Sequence, residues 1–283
     1  MVDRAAAWSL LKAAVSGWVN DRCLSMGAAI SYYAVFSLAP TLILAIAIAG
    51  LLFGREAAQG AIVGQLRGLM GREGAVAIQA MIESARDMES GIVATAVGLA
   101  TLIFAASGAF AEIQAALNMI WKVKSRQRSL VGGLLRQRLR SLSLVAIVGF
   151  LLMASLVVSA ALTAFADYLR GLFPGFELIL QAINFLISLA VITVLFAMVF
   201  KVLPDVDIDW SDVWLGAAVT ALLFSIAKFL ISLYIGSSDV MSSYGAAGAL
   251  VIILLWIYYS SQILLFGAEI TYAYAQRQRR ERP

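Results

Sequence analysis

Histidine is absent from this 283-residue chain, cysteine occurs once, at Cys23, and charged residues make up only 13% of it. Without histidine, the side chain that most often serves as a neutral-pH base or metal ligand is gone. A single cysteine excludes an intramolecular disulfide framework and cysteine-rich metal sites. Soluble domains carry about 25% charged residues. Set against 62% hydrophobic residues, the shortage of charge makes hydrocarbon the solvent for much of the chain. A cleavable signal is not expected, because Asp3, Arg4, Lys12, Asp21 and Arg22 stud the opening residues and the apolar run after them outlasts an h-region. Proline-rich linkers, low-complexity tracts and a GxxxxGK[ST] phosphate loop are also lacking. The reading is one integral membrane domain over 1–283, with no cofactor and no metal.

What the chain does contain is a series of uncharged runs: Cys23 to Gly54, Ser90 to Ala111, Ser141 to Ala166, Leu178 to Phe200, Val213 to Ala227 continuing past Lys228 to Ser238, and Val240 to Ala268. A helix rises 1.5 Å per residue and the hydrocarbon core is about 30 Å thick, so about 20 residues suffice to cross it. The runs predict an all-α protein with six transmembrane helices. Pro40 falls inside the first and predicts a bend there, since it removes one intrahelical hydrogen bond.

Basic residues between the spans set the orientation. With the N-terminus inside, Arg4, Lys12, Arg22, the cluster from Lys122 to Arg140, Lys201 and the arginines from Arg277 to Arg282 are cytoplasmic. Only Arg55, Arg67, Arg72, Arg86 and Arg170 fall outside. Both termini are therefore expected in the cytoplasm. Residues 1–22 repeat Trp8, Leu11, Val15 and Trp18 at helical spacing, which predicts an amphipathic helix in the membrane interface. The connection 55–89 carries two amphipathic stretches, broken near Gly71 and Gly74, expected to pack on the outer face as a cap or as a surface for partners or lipid entry.

Polar groups inside the apolar runs are the candidate site. A charge at mid-membrane costs about 2.5 to 3.5 kcal/mol on insertion scales, so Lys228 is expected to face protein or a wet cavity where its ammonium attracts an anionic group. Glu112 and Glu269 fall toward the cytoplasmic ends of the second and sixth spans, where snorkelling and nearby donors lower the penalty. Tyr32, Tyr33, Asn118 and Gln262 complete the candidate substrate-binding set. The alternative for each is structural: interhelical hydrogen bonds contribute about 0.6 to 2 kcal/mol. Small residues, Ala94 with Gly98 and Gly245 with Gly248 and Ala249, permit close helix approach.

Several phrases carry a resemblance. They are Ala28-Ala29-Ile30-Ser31-Tyr32-Tyr33-Ala34-Val35-Phe36-Ser37-Leu38-Ala39-Pro40, Leu117-Asn118-Met119-Ile120-Trp121, Pro204 with Trp210, and Tyr244-Gly245 ahead of Leu255-Trp256-Ile257-Tyr258-Tyr259-Ser260-Ser261-Gln262, running on through Gly267-Ala268-Glu269. In this order they resemble the YihY/BrkB family of bacterial inner-membrane proteins. The resemblance implies six helices, both ends cytoplasmic, and the bacterial inner membrane as location. Members have carried the label ribonuclease BN, and the residues here do not support it. A nuclease needs an acid and base pair or held metal ions in a wet cleft. The one acidic cluster, Asp205, Asp207, Asp209 and Asp212, fails calcium-loop spacing, with Trp210 where the glycine belongs and Gly216 where the glutamate belongs. It is expected to be a solvated loop, with Ser211 or Asp212 capping the fifth span and Trp210 and Trp214 at the interface.

Lys122, Lys124, Arg126, Arg128, Arg136, Arg138 and Arg140, in the loop 122–140, admit three roles: fixing topology, attracting anionic lipid headgroups, or contacting nucleic acid. The loop is juxtamembrane and has no stacking aromatic except Trp121, so nucleic acid is not expected. Three functions remain. The first is a non-enzymatic transporter or lipid-handling protein with a polar cavity near Lys228 for an amphipathic or anionic substrate. The second is a scaffold that recruits envelope partners. The third and weakest is an RNA-processing enzyme. Membrane lipids are the expected partners, and oligomeric state is left open.

Overall fold

A computed structural model describes residues 4–54, 56–60, 62–64, 67, 75, 76, 79, 108–123, 177–237 and 246–281. Among them are five long helices: α1 (Arg4–Asn20), α2 (Cys23–Phe53), α3 (Glu177–Val202), α4 (Trp210–Ser237) and α5 (Ala246–Glu281). Residues 108–120 form a further helical stretch. No strand occurs among the described residues. Three helices are long and apolar enough to cross a membrane, over Phe185–Val202, Trp210–Leu230 and Leu250–Arg280. A fourth is α2 if its halves, Cys23–Leu38 and Pro40–Ala47, count as one span. They bend by 52° at the break, as the missing hydrogen bond of Pro40 predicts. These four are the predicted first, fourth, fifth and sixth spans. Residues 90–107 of the second, all of the third (Ser141 to Ala166), most of 55–89, and Ala94, Gly98 and Gly245 lie outside the described residues.

α5 is the spine. α4 packs along one side of it, α3 packs on α4, and α1 and α2 pack along another side. Several of these helix ends have a local cause. Arg22, in the left-handed region at φ 55°, turns the chain between α1 and α2, and its carbonyl accepts from the N–H groups of Ser25 and Met26 to start α2. α3 stops at Val202, two residues before Pro204, whose ring disfavours helical geometry just before it. Lys201 then donates to the carbonyl of Ile208 at 2.6 Å, closing the connection so that Leu203 and Ile208 are buried beneath it. α4 begins at Trp210, so Asp209 holds the cap position, with the Asp212 N–H bonded to its carbonyl at 3.0 Å. Ser211 and Asp212, expected as caps, lie inside the first turn instead.

Two apolar clusters fill the bundle. One joins Leu117, Ile120, Phe200, Leu203, Ile208, Val213 and Leu265. The other, nearer the start of α5, joins Val35, Ile46, Ile253 and Trp256. In a bilayer, helix association gains little from burying apolar surface, because acyl chains are equally apolar, and close van der Waals packing decides it. The α4–α5 seam shows how. A Cβ on Gly216 would collide with Thr271, and a Cβ on Gly267 would collide with Thr220. Each threonine also bonds back to the glycine of its own helix: Thr220 Oγ1 to the Gly216 carbonyl at 2.6 Å, and Thr271 Oγ1 to the Gly267 carbonyl at 2.8 Å. Two Gly-x-x-x-Thr turns on antiparallel helices thus interlock, each hydroxyl satisfied at home and each methyl-bearing Cβ lodged in the partner's notch.

Candidate functional site

Four segments that sequence placed on one side of the membrane meet at one end of the bundle. They are the α1–α2 turn, the end of the 108–120 helix, the α3–α4 connection and the last third of α5. Lys122 pairs with Asp21. Asn118 Nδ2 donates to Asp205 Oδ2 at 3.2 Å while its Oδ1 accepts from the Asp205 N–H at 2.8 Å. Trp121 meets Tyr272 edge-on, 5.4 Å between ring centres.

The Lys122 backbone explains how its side chain reaches Asp21. Lys122 has φ 53°, and the bonds Lys122 N–H to the Met119 carbonyl and Val123 N–H to the Asn118 carbonyl form the paired closure in which glycine is usual. A non-glycine residue there costs on the order of 1 kcal/mol. The site keeps a lysine there, and its ammonium ties the end of this helix to the α1–α2 turn.

Between α1 and α5 lies a cavity of about 440 Å³. Glu269, Tyr272, Gln276 and Arg280 line it from α5, one face at helical spacing. Leu10, Ala13 and Gly17 line it from α1, and Asp21 and Lys122 from the two turns. Glu269 is the centre of this arrangement. It is 2% exposed, and its carboxylate occupies the space where a side chain at position 17 would stand. The Cys23 thiol donates to Oε1 at 3.9 Å, a weak bond. Asp21 and Lys122 both act on the carboxylate through space. One turn-pair earlier on α5, Gln262 fills the space before Gly27 in the same way and donates to the Cys23 carbonyl at 3.3 Å, while its Oε1 is buried without a partner among the described residues.

The candidate set named from sequence is therefore divided. Glu269 lines the cavity, Gln262 lies next to it across Cys23, and Lys122 joins it from the basic group. Asn118 is instead committed to Asp205. Glu112 is half-buried and, among the described residues, has no polar partner. Tyr32 and Tyr33 point outward, 59% and 47% exposed. Lys228 is half-buried, and no described residue pairs with it. Counting from the Thr220–Gly267 contact, it stands about 15 Å along the helix axes from Glu269. Lys228 is not among the residues that line the α1–α5 cavity. Lys124, Arg126, Arg128, Arg136, Arg138 and Arg140 lie outside the described residues.

Sequence reasoning missed Gly17, Asp21, Cys23, Tyr272, Arg277 and Arg280 as parts of one site. The available signal was spacing: Glu269, Tyr272, Gln276 and Arg280 share one face of a predicted helix. The α1 stripe is also divided. Trp8, Leu11 and Val15 are exposed, and Val19 joins them, while Trp18 turns inward against the core. The small residues Ala14 and Gly17 face the bundle instead. The four aspartates are dispersed as well: Asp205 bonds Asn118, Asp207 lies 3.6 Å from Lys201, Asp209 caps α4 and Asp212 is buried. Among the described residues no three acidic, cysteine or histidine side chains gather as a metal site.

The Asn118–Asp205 pair carries a prediction. Replacing Asn118 by Ala removes both of its bonds to Asp205. The expected cost is about 1 to 3 kcal/mol, read as earlier thermal unfolding together with faster proteolysis within 203–209. Unchanged proteolysis would mean that the connection is held by Leu203, Ile208 and Lys201 alone.

A family model described as virulence factor BrkB matches residues 14–283. Relatives are called UPF0761 membrane proteins. One from Alcanivorax borkumensis is 32% identical over 66% of this chain and 42% of its own length. One from Alkalilimnicola ehrlichii is 29% identical over 90% of this chain and 56% of its own, and one from Tolumonas auensis is 30% identical over 62% and 56%. The chain spans about half the length of these curated relatives. No solved structure matches it. Apolar helices of spanning length, the family match and the kinship with membrane proteins agree, and the chain is a membrane protein of the BrkB family.

Proposed function

We propose that this protein handles phospholipid-like amphipaths in the bacterial cytoplasmic membrane, moving or exchanging them without covalent chemistry. In this reading six helices span the bilayer and both termini face the cytoplasm, as the distribution of basic residues predicts. One observation carries the reading: the α1–α5 cavity has charged groups at its ends and apolar side chains between them, in a volume typical of ligand pockets. Arg277 and Arg280 supply positive charge suited to a phosphate, and Leu10, Ala13 and Ala273 supply apolar wall. No energy source is part of this reading; exchange down a gradient suffices.

The test is exchange in vesicles. Protein reconstituted with headgroup-labelled phospholipid in both leaflets is expected to expose inner-leaflet label to a membrane-impermeant quencher faster than protein-free vesicles do. Combined Arg277→Ala and Arg280→Ala substitution should slow this at least about tenfold, the loss of two charge-assisted contacts. Exchange at the protein-free rate by correctly inserted protein would reject lipid movement and favour the scaffold reading. In that reading the exposed α1 stripe of Trp8, Leu11, Val15 and Val19 becomes a partner surface.

A further inference from the structure

Glu269 poses a specific electrostatic question. It is almost wholly buried, it opens on the cavity, the Asp21 carboxylate and the Cys23 thiol face it, and the Lys122–Asp21 and Lys201–Asp207 ion pairs do not include it. Lys122, the nearest cation of the cavity wall, is committed to Asp21. A buried carboxylate that shares its nearby cation with a second carboxylate is costly, and the cost is relieved by a proton or by a cationic group of a ligand. Gly17 makes the arrangement: any side chain there would occupy the space the carboxylate now fills.

The rest of the cavity says what such a ligand carries besides its cation. Along α5 from Glu269, Gln276 and Arg280 continue the same face, with Arg277 beside them. The arginines start about 12 and 16 Å further along the axis, and both line the same cavity as the carboxylate. Two guanidinium groups three residues apart present planar donor forks to a single anion, the arrangement best matched to phosphate. The cavity is therefore polarised, with a carboxylate at its inner end, guanidinium groups at its outer end, and Ala13 and Ala273 between.

We propose that the cavity binds a phosphoethanolamine unit, its primary ammonium on Glu269 and its phosphate on Arg277 and Arg280. This rests on the lipid-handling reading above and gives it a headgroup. A primary ammonium offers three N–H donors, one for the carboxylate and others for Asn20 and Asp21 nearby, whereas the quaternary ammonium of choline offers none. A phosphate diester without an amine, such as phosphatidylglycerol, leaves Glu269 uncompensated. The unit is the headgroup of phosphatidylethanolamine and also exists as a free solute.

The experiment uses the purified full chain in detergent, titrated calorimetrically with free phosphoethanolamine, phosphocholine and inorganic phosphate. In parallel, vesicles of phosphatidylethanolamine with phosphatidylglycerol are compared in the exchange measurement. Phosphoethanolamine, free or as lipid, is expected to be preferred about tenfold or more over the choline or glycerol analogue. Glu269→Gln, equal in shape and uncharged, should abolish that preference. Binding of the free solute alone identifies a soluble ligand, and selective exchange of the lipid identifies the membrane; either supports the headgroup chemistry. Equal affinity for phosphoethanolamine and phosphocholine in the unsubstituted protein overturns it, as does a preference that survives Glu269→Gln. Exchange without amine preference removes this inference and leaves lipid handling standing, while no exchange and no headgroup binding removes both.

Discussion

Valine at Gly267 is expected to prevent the normal closure of α4 on α5 and to produce the largest loss of stability of any single change in the described bundle. The site of collision is Thr220, a β-branched residue with little freedom to move, whose hydroxyl is already bonded to the Gly216 carbonyl at 2.6 Å. The same holds in mirror fashion at Gly216, where a Cβ would also stand 3.1 Å from the carbonyl oxygen of Gly267. Backbone does not rotate out of the way, so the helices must separate. Even alanine at either glycine should cost about 1 to 3 kcal/mol, the usual penalty of overpacking, and valine should cost more. The measurement is thermal denaturation in detergent followed by circular dichroism. Adding Thr220→Ala to Gly267→Ala should recover part of the loss, because it removes the hydroxyl, the nearest obstructing atom, while the Cβ at 2.9 Å stays. Parental stability of Gly267→Ala would refute the interlock.

Gly17→Val is the second large effect, and it falls on activity more than on folding. The obstructing atoms are the far end of the flexible Glu269 side chain, not backbone, so the helices need not part. The carboxylate must leave its place, and it has only the cavity to enter. Lipid exchange is expected to fall about tenfold, the scale of one lost charge-assisted contact, while unfolding temperature drops much less than in Gly267→Val. Gly17→Ala should lie between parent and Gly17→Val in both readouts. A Gly17→Val protein that exchanges lipid at the parental rate would show that the cavity is not the working site. If Gly17→Val instead unfolds as readily as Gly267→Val, the α1–α5 contact is structural first.

Much of this fold is legible in the sequence because hydrocarbon imposes a simple rule. Uncharged runs long enough to cross become helices, and the bend at Pro40 follows from one missing N–H. The three described helices of spanning length, and the bent α2, overlap four of those runs. The candidate site was legible only in part, for a different physical reason. Lys228 drew attention because its charge is costly at depth, yet depth alone does not say which face of α4 it occupies or what lies beside it. Glu269 was named for the same reason, and the structure gives it a cavity. What sequence could not reveal was Gly17, since a glycine's role here is the space it leaves for a residue 252 positions away in the chain. Gly216 and Gly267 are similar, although their shared Gly-x-x-x-Thr spelling was readable. Lys122 was grouped with the basic loop by composition. Its left-handed backbone separates it from that group and directs it to Asp21.

The reciprocal seating of Thr220 and Thr271 also limits how the molecule moves. Sliding α4 against α5 by one turn would withdraw both branched side chains from their sockets at once, so the two helices shift as a unit. No comparable latch joins α1 to α5: their contact at Gly17 is with a long, bendable side chain and borders open volume. Among the described helices, α1 is therefore expected to move about the Arg22 turn more readily than α4 slides on α5.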